Sequence, residues 1–296
     1  MGTYLEELEE LVAGPYSCAT ASVQIAVQSC LELLGTRVDV IPVIMPVTSA
    51  PDTLSAVLRA GGHPLLLDIE DEYLQMDLEQ LRDALEMLEE QNRVPVILFN
   101  QPFRMPVRKE LLELVLDYPS IVDSRIVPHE QLSGPDIPCT FNVFDLSIVC
   151  GAGGLIIHKF PEQVDQLKMV RSGPMGLDGA LPEMLAEEAA DAQSYWQTTR
   201  EYYWGEVEKF IGTEHQVMGP STEPGVVWLR VDNARRTAVT LKSYGVEAVL
   251  GLAPLYNIEE VKRRYREEPE YPVTKALENS FVCFNYRDID KALKVL

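Results

Sequence analysis

Val57-Leu58-Arg59-Ala60-Gly61-Gly62-His63-Pro64-Leu65-Leu66-Leu67-Asp68-Ile69-Glu70 decides how the rest of the chain is read. Its first residues close a helix over 52–60, the two glycines break it, and residues 64–68 make a short buried strand ending on an acid. Asp77 then caps an amphipathic helix over 78–88, with Gln80 three residues on. Helix, break, strand and helix in this order is the pattern of a mostly parallel sheet covered by helices. The alternation continues outward. Residues 22–34 read as a helix, with Val23, Ala26, Val27, Cys30, Leu31 and Leu34 at helical spacing and Gly35 as its stop. Residues 38–47 form a β-branched run whose Pro42 and Pro46 are unusual for a central strand. Strands are expected at 94–99, 120–123, 140–146 and 155–158, and a helix at 109–116.

The second half reads differently. A long helix is expected over 182–210, with Trp196, Tyr203 and Trp204 on its apolar stripe. From residue 225 onward a small α+β unit follows, with strands at 226–231, 246–250 and 281–284 and helices at 235–244 and 258–266. The fold class is therefore α/β, with a mostly parallel large domain over 1–175 and a long connecting helix plus a small C-terminal domain over 176–296.

The 296 residues carry 46 acids against 25 bases, a net charge of −21, and 46% of them are apolar. That composition supports a sizeable core and excludes disorder. The acidity argues against nucleic acid, whose affinity comes from clustered Lys and Arg. Only Lys262, Arg263, Arg264 and Arg266 cluster, and Glu259, Glu260, Glu267 and Glu268 surround them as a solvated helix face. No basic start with an apolar run opens the chain, and no apolar stretch reaches the roughly 18 residues of a spanning helix, so a cytoplasmic protein off the membrane is expected. Five scattered cysteines and four scattered histidines lack metal-type spacing, so buried reduced thiols and no metal are expected. Gly151-Ala152-Gly153-Gly154 lies between two strands without a following helix, which is not a dinucleotide fingerprint.

Ligands in open parallel sheets sit at the carboxyl ends of strands, so Asp68 and Asp123 are the first positions to weigh. In this order the segments resemble the DegT/DnrJ-type sugar aminotransferases, pyridoxal-phosphate enzymes of the aspartate aminotransferase fold. The stretch 57–70 followed by Met76-Asp77-Leu78-Glu79 is similar to the family's helix, strand and "D-I" turn. Pro95-Val96-Ile97-Leu98-Phe99-Asn100-Gln101-Pro102 is similar to its next strand and "G-Q-P" turn, and Val122-Asp123 stands at its "E-D-A" strand end. Gly153-Gly154 matches the glycine pair after its catalytic loop, and Leu241-Lys242-Ser243-Tyr244-Gly245-Val246 looks like part of its small domain. The resemblance implies an aspartate-aminotransferase-like large domain and a dimer whose sites are built from both chains.

Pyridoxal phosphate needs a lysine for the aldimine, an anion against the pyridinium nitrogen, a stacking partner and phosphate donors. By the resemblance Asp123 is the pyridinium partner. The lysine belongs in the loop between residues 140–146 and the glycine pair, and Val143-Phe144-Asp145-Leu146-Ser147-Ile148-Val149-Cys150 offers none. Lys159 is displaced beyond the glycines, and no histidine replaces the lysine there. The stacking aromatic falls at Ala50, the phosphate turn becomes Ser22-Val23-Gln24, and the glutamine after the aspartate becomes Ile126, beside Arg125. The family also has further residues ahead of its first helix that help line the site, whereas this sequence starts almost at that helix.

Three readings stay open. The first is a lysine-less homologue, a pseudoenzyme acting as a binding or partner subunit, homodimeric or paired with an active relative, with no cofactor required. The second is repurposed chemistry on a sugar or amino-acid substrate through Asp123, Arg125, Ser147 or His129. The third is an aminotransferase using pyridoxal phosphate and a displaced lysine. The candidate site residues are Asp123, Ser22, Gln24, Ala50 and Ser147, with a small-molecule ligand as a possible partner.

Overall fold

Ser22 starts the first helix because its hydroxyl accepts the Ile25 amide at 3.2 Å, and Gly35, at φ +90°, ends it in a conformation that glycine adopts without strain. The computed structural model describes residues 6, 8–9, 14–35, 40–101, 107–124, 140–146, 153–171, 186–187, 216–217, 226–264, 270–285 and 288–296. Its first half contains strands β1 (Ser17–Thr20), β2 (Pro42–Pro46), β3 (His63–Leu67), β4 (Val96–Asn100), β5 (Ser120–Asp123), β6 (Thr140–Asp145) and β7 (Gly154–His158). Helices α1 (Val23–Leu33), α2 (Pro51–Arg59), α3 (Leu78–Glu90), α4 (Lys109–Leu114) and α5 (Pro161–Arg171) accompany them.

The seven strands form one sheet in the order β1-β7-β6-β5-β4-β2-β3. Strands β3, β2, β4, β5 and β6 run parallel, and β7 is antiparallel to both β6 and β1. Because side chains alternate across a strand, each face has its own core. One face buries Val43, Met45, Leu98, Ile121 and Val143 against Val27 and Leu31 of α1 and Leu54 and Val57 of α2. The other buries Ile44, Ile97, Phe99 and Val122 against Leu81, Leu85 and Leu88 of α3 and Leu111 of α4. The expected α/β class with a mostly parallel sheet is what the structure has.

Two local expectations need correction. β2 is central, although it contains Pro42 and Pro46. The prolines occupy its first and last positions, while Val43 and Ile44 between them pair with Val96 and Ile97 of β4. Helix α5, which buries Val164 and Leu167, was not foreseen, since its sequence PEQVDQLKMVR has few apolar positions.

The C-terminal unit contains β8 (Gln216–Val217), β9 (Val226–Arg230), α6 (Ala234–Ser243), β10 (Ala248–Leu250), α7 (Glu259–Arg264), α8 (Pro272–Leu277), β11 (Phe281–Asn285) and α9 (Ile289–Ala292). Its antiparallel sheet has the order β10-β11-β9-β8. One face packs Val227, Leu229, Val282 and Phe284 against Ala234 and Leu241 of α6. The opposite face carries Phe281 into a cluster with Ile69 and Leu74 of the first half. Leu255, Val261 and Tyr271 enter the core beneath the large sheet itself. The long helix expected over 182–210 lies outside the described residues except for 186–187. Among the described residues no helix is long and apolar enough to cross a membrane.

Candidate functional site

The carboxyl ends of β2, β4 and β5 lie side by side, with Asn100 directly opposite Asp123 in the β4–β5 register. Asp123 is 2% exposed, and its Oδ2 accepts the Thr53 hydroxyl at 2.6 Å. Thr53 lies in the first turn of α2, whose N-terminus carries partial positive charge, so helix and carboxylate are electrostatically matched. Beside them, the Asn100 amide nitrogen donates to Thr48 Oγ1 at 3.3 Å. Among the described residues, Asn100 Oδ1 and the hydroxyl of Ser49, a residue 1% exposed, are buried without a hydrogen-bond partner. Unpaired buried polar atoms are uncommon because each costs the solvation it loses. Two of them at the ends of neighbouring strands mark the sheet edge around Asp123 as the candidate site.

The expected site residues fall into distinct groups. Asp123 is where it was expected, a buried carboxylate at a strand end. Ala50 is the N-cap of α2, half-buried and making no side-chain cap bond, and its methyl group offers no ring face. Ser22 spends its hydroxyl as the cap of α1. Gln24 donates its side-chain amide to Ser55 Oγ of α2 at 3.0 Å. Ser147, Arg125, Ile126 and His129 lie outside the described residues.

Asp68 is not a ligand position. Its fully buried carboxylate accepts the amides of Ile69 at 2.9 Å, Val273 at 2.9 Å and Thr274 at 3.0 Å, and the Thr274 hydroxyl as well. A strand-end acid in the sequence reads the same whether a ligand or another part of the chain occupies it.

Gly154 brings α1 to this edge. A Cβ there would stand 2.7 Å from Ser22 O and 2.8 Å from Val23 N, so only glycine lets β7 pass against the first turn of α1. Thr20 secures the contact by donating to Ser22 O at 2.9 Å and to Gly154 O at 3.2 Å. The glycine pair thus has a packing role visible in the backbone.

The positions of lysine decide what chemistry this edge supports. The first lysine in the sequence is Lys109, and none lies between it and Lys159. The β6–β7 connection, residues 147–152, reads Ser-Ile-Val-Cys-Gly-Ala. Lys109 is exposed and paired with Glu113 at 3.2 Å, on a helix covering the face opposite Asp123. Lys159 follows His158, which pairs with Phe141, whereas Asp123 pairs with Val143. Lys159 therefore leaves the amino-terminal edge of the parallel strands, the end away from Asp123, about 10 Å along and two strands across. Lys168 pairs with Glu9 at 2.7 Å. Lys242, Lys262, Lys275, Lys291 and Lys294 are solvent-exposed on the C-terminal unit. Among the described residues, no lysine adjoins the Asp123 carboxylate.

Other chemistries find little support. Cys18, Cys30 and Cys283 are buried. Burial pushes the Cys30 thiol well up and that of Cys283 up to about 12, so both are inert at neutral pH. Cys139 and Cys150 lie outside the described residues. Among the described residues no group of three or more His, Cys, Asp or Glu is placed to hold a metal ion.

No family model and no curated protein matches the chain. Solved structures do. An aminotransferase described as DegT DnrJ EryC1 StrS from Brucella abortus superposes with a TM-score of 0.79 at 16% identity, covering 99% of this chain and 88% of that one. Helicobacter pylori PseC, an aminotransferase involved in the biosynthesis of pseudoaminic acid, gives 0.77 at 14% identity, with 99% and 90% covered. The E. coli GDP-4-keto-6-deoxy-D-mannose-3-dehydratase, with bound hydrated pyridoxal phosphate, gives 0.79 at 15% identity, with 100% and 92% covered. The chain thus has the aspartate-aminotransferase-like fold of these structures.

The fit to pyridoxal phosphate is partial. Asp123 is suited to a pyridinium nitrogen, and the N-terminus of α1 is of the kind that attracts an anion. The described residues provide neither an amine for covalent attachment nor an aromatic ring at position 50.

Proposed function

We propose that this chain is a lysine-less homologue of the DegT/DnrJ-type aminotransferases, carrying out no aldimine chemistry and acting as a binding or partner subunit. The observation that carries the reading is the sheet-edge geometry: Asp123 is a buried carboxylate at the carboxyl end of its strand, while the β6–β7 connection has no lysine and Lys159 leaves the opposite edge. An external amine on the cofactor is normally exchanged through such a lysine, so without one the scaffold binds but does not turn over. The unpartnered Ser49 hydroxyl and Asn100 carbonyl support a polar small molecule as the thing bound. In the partner-subunit form, this chain completes a site with a lysine-bearing relative as well as with a second copy of itself.

Spectral titration with pyridoxal phosphate tests the proposal. The expected result is the spectrum of free cofactor, or of a non-covalently held one, at every protein concentration. An internal-aldimine band that shifts to the external form on adding an amino donor overturns it. For the paired form, mixing with a lysine-bearing homologue is expected to give a new mass in solution, and unchanged masses of both components exclude that form.

A further inference from the structure

The turn over residues 68–76 is built to grip the C-terminal unit. It is closed by a bridge between Ile69 and Met76 and by hydrogen bonds from Glu70 N to Gln75 O at 2.9 Å and from Leu74 N to Glu70 O at 2.8 Å. Two of its residues adopt states that are costly by themselves. Asp68 places a carboxylate where it is 0% exposed, and Leu74 takes a left-handed backbone, φ +56°, that a leucine rarely adopts. Each cost is offset by contact with the C-terminal unit. Both Asp68 oxygens receive backbone amides from the start of α8, those of Val273 and Thr274, together with the Thr274 hydroxyl. The left-handed bend sends Leu74 into a fully buried position among Ile69, Leu252, Leu277 and Phe281. Asp71 adds an exposed ion pair to Arg230 at 2.8 Å, which contributes little.

The same unit touches the edge of the candidate site. Leu255 N donates to Val47 O at 2.7 Å, immediately before Thr48 and Ser49. Leu255 itself is buried in the core of the large sheet.

We propose that residues 68–76 form a clasp that locks the C-terminal unit against the carboxyl edge of the large sheet. Residues 252–258 are then a fixed wall beside Thr48 and Ser49, not a flap that swings away to admit a ligand. The clasp is independent of whether the chain forms an aldimine, since neither Asp68 nor Leu74 adjoins Asp123 in the sheet order.

Hydrogen exchange on the full-length protein tests it, comparing the parent with Asp68→Asn and with Leu74→Ala. In Asp68→Asn the peptides covering 270–277 and 252–258 are expected to exchange about ten- to a hundredfold faster, the scale of losing charge-assisted hydrogen bonds. Peptides from β4 and β5 are expected to keep their parent rates. Leu74→Ala keeps the carboxylate and is expected to loosen the same two segments, so the test survives if Asp68→Asn fails to fold. Equal acceleration throughout the chain, or parent rates in both segments, overturns the clasp.

Discussion

Replacing Ser49 by alanine should make the protein more stable, and the size of the gain follows from the structure. The Ser49 hydroxyl is buried and has no partner among the described residues. Such a group costs about 1–3 kcal/mol in lost hydration. Alanine removes that cost and only a single oxygen atom of packing. The backbone hydrogen bond from Ser49 N to Pro46 O at 3.0 Å is untouched, and so is the entry into α2. A net gain of about 1 kcal/mol is expected. In urea, with a slope of about 3 kcal/mol/M, the midpoint should rise by about 0.3 M. Equilibrium urea unfolding of parent and Ser49→Ala, followed by far-UV circular dichroism and tryptophan fluorescence, reads this directly. A loss of 1 kcal/mol or more would mean that the hydroxyl is already bonded in the native protein, and the assignment of this sheet edge as a polar site left open for a ligand would fail.

Two further outcomes follow from neighbouring features. Gly154→Ala drives a Cβ into the backbone of Ser22 and Val23, so it should destabilise by about 3 kcal/mol in the same urea assay, and a change below about 0.5 kcal/mol would contradict the close packing of β7 on α1. His158 is stacked on Phe141 with centroids 4.3 Å apart and accepts the Phe160 amide at 3.1 Å, and burial holds its imidazole below its usual 6.5. Between that lowered value and 6.5 the unfolded chain binds more protons than the native one, so its contribution is complete above pH 6.5 and declines as pH falls toward the native value. Urea midpoints at successive pH values should show this slope in the parent and a shallower one in His158→Phe, and identical slopes would refute the assignment.

What was legible in the sequence followed local rules. Asp77 announced a helix start through its side chain, and that cap forms. Asp123 was legible because a strand-end acid in a parallel sheet points to where ligands bind. Thr53, Ser49 and Asn100 were not, although they define the site with it. What makes them neighbours is the pairing of β4 between β2 and β5, a contact between residues distant in sequence that no local pattern encodes. Asp68 shows the converse. It shares the strand-end signal of Asp123, yet its carboxylate is consumed by Val273 and Thr274, some 200 residues away in the chain. The prolines of β2 misled because a proline's missing N–H matters only where the ladder needs it, and both lie at the strand ends.

That residues 110–158 contain no lysine is legible from the sequence alone, and the strand register then fixes which edge Lys159 leaves. The measurement that addresses this most directly is borohydride reduction of the protein equilibrated with pyridoxal phosphate, followed by intact mass and peptide mapping. The account predicts no stoichiometric adduct on any lysine of this chain. A single lysine reduced to completion, and protected by an amino donor, would contradict it.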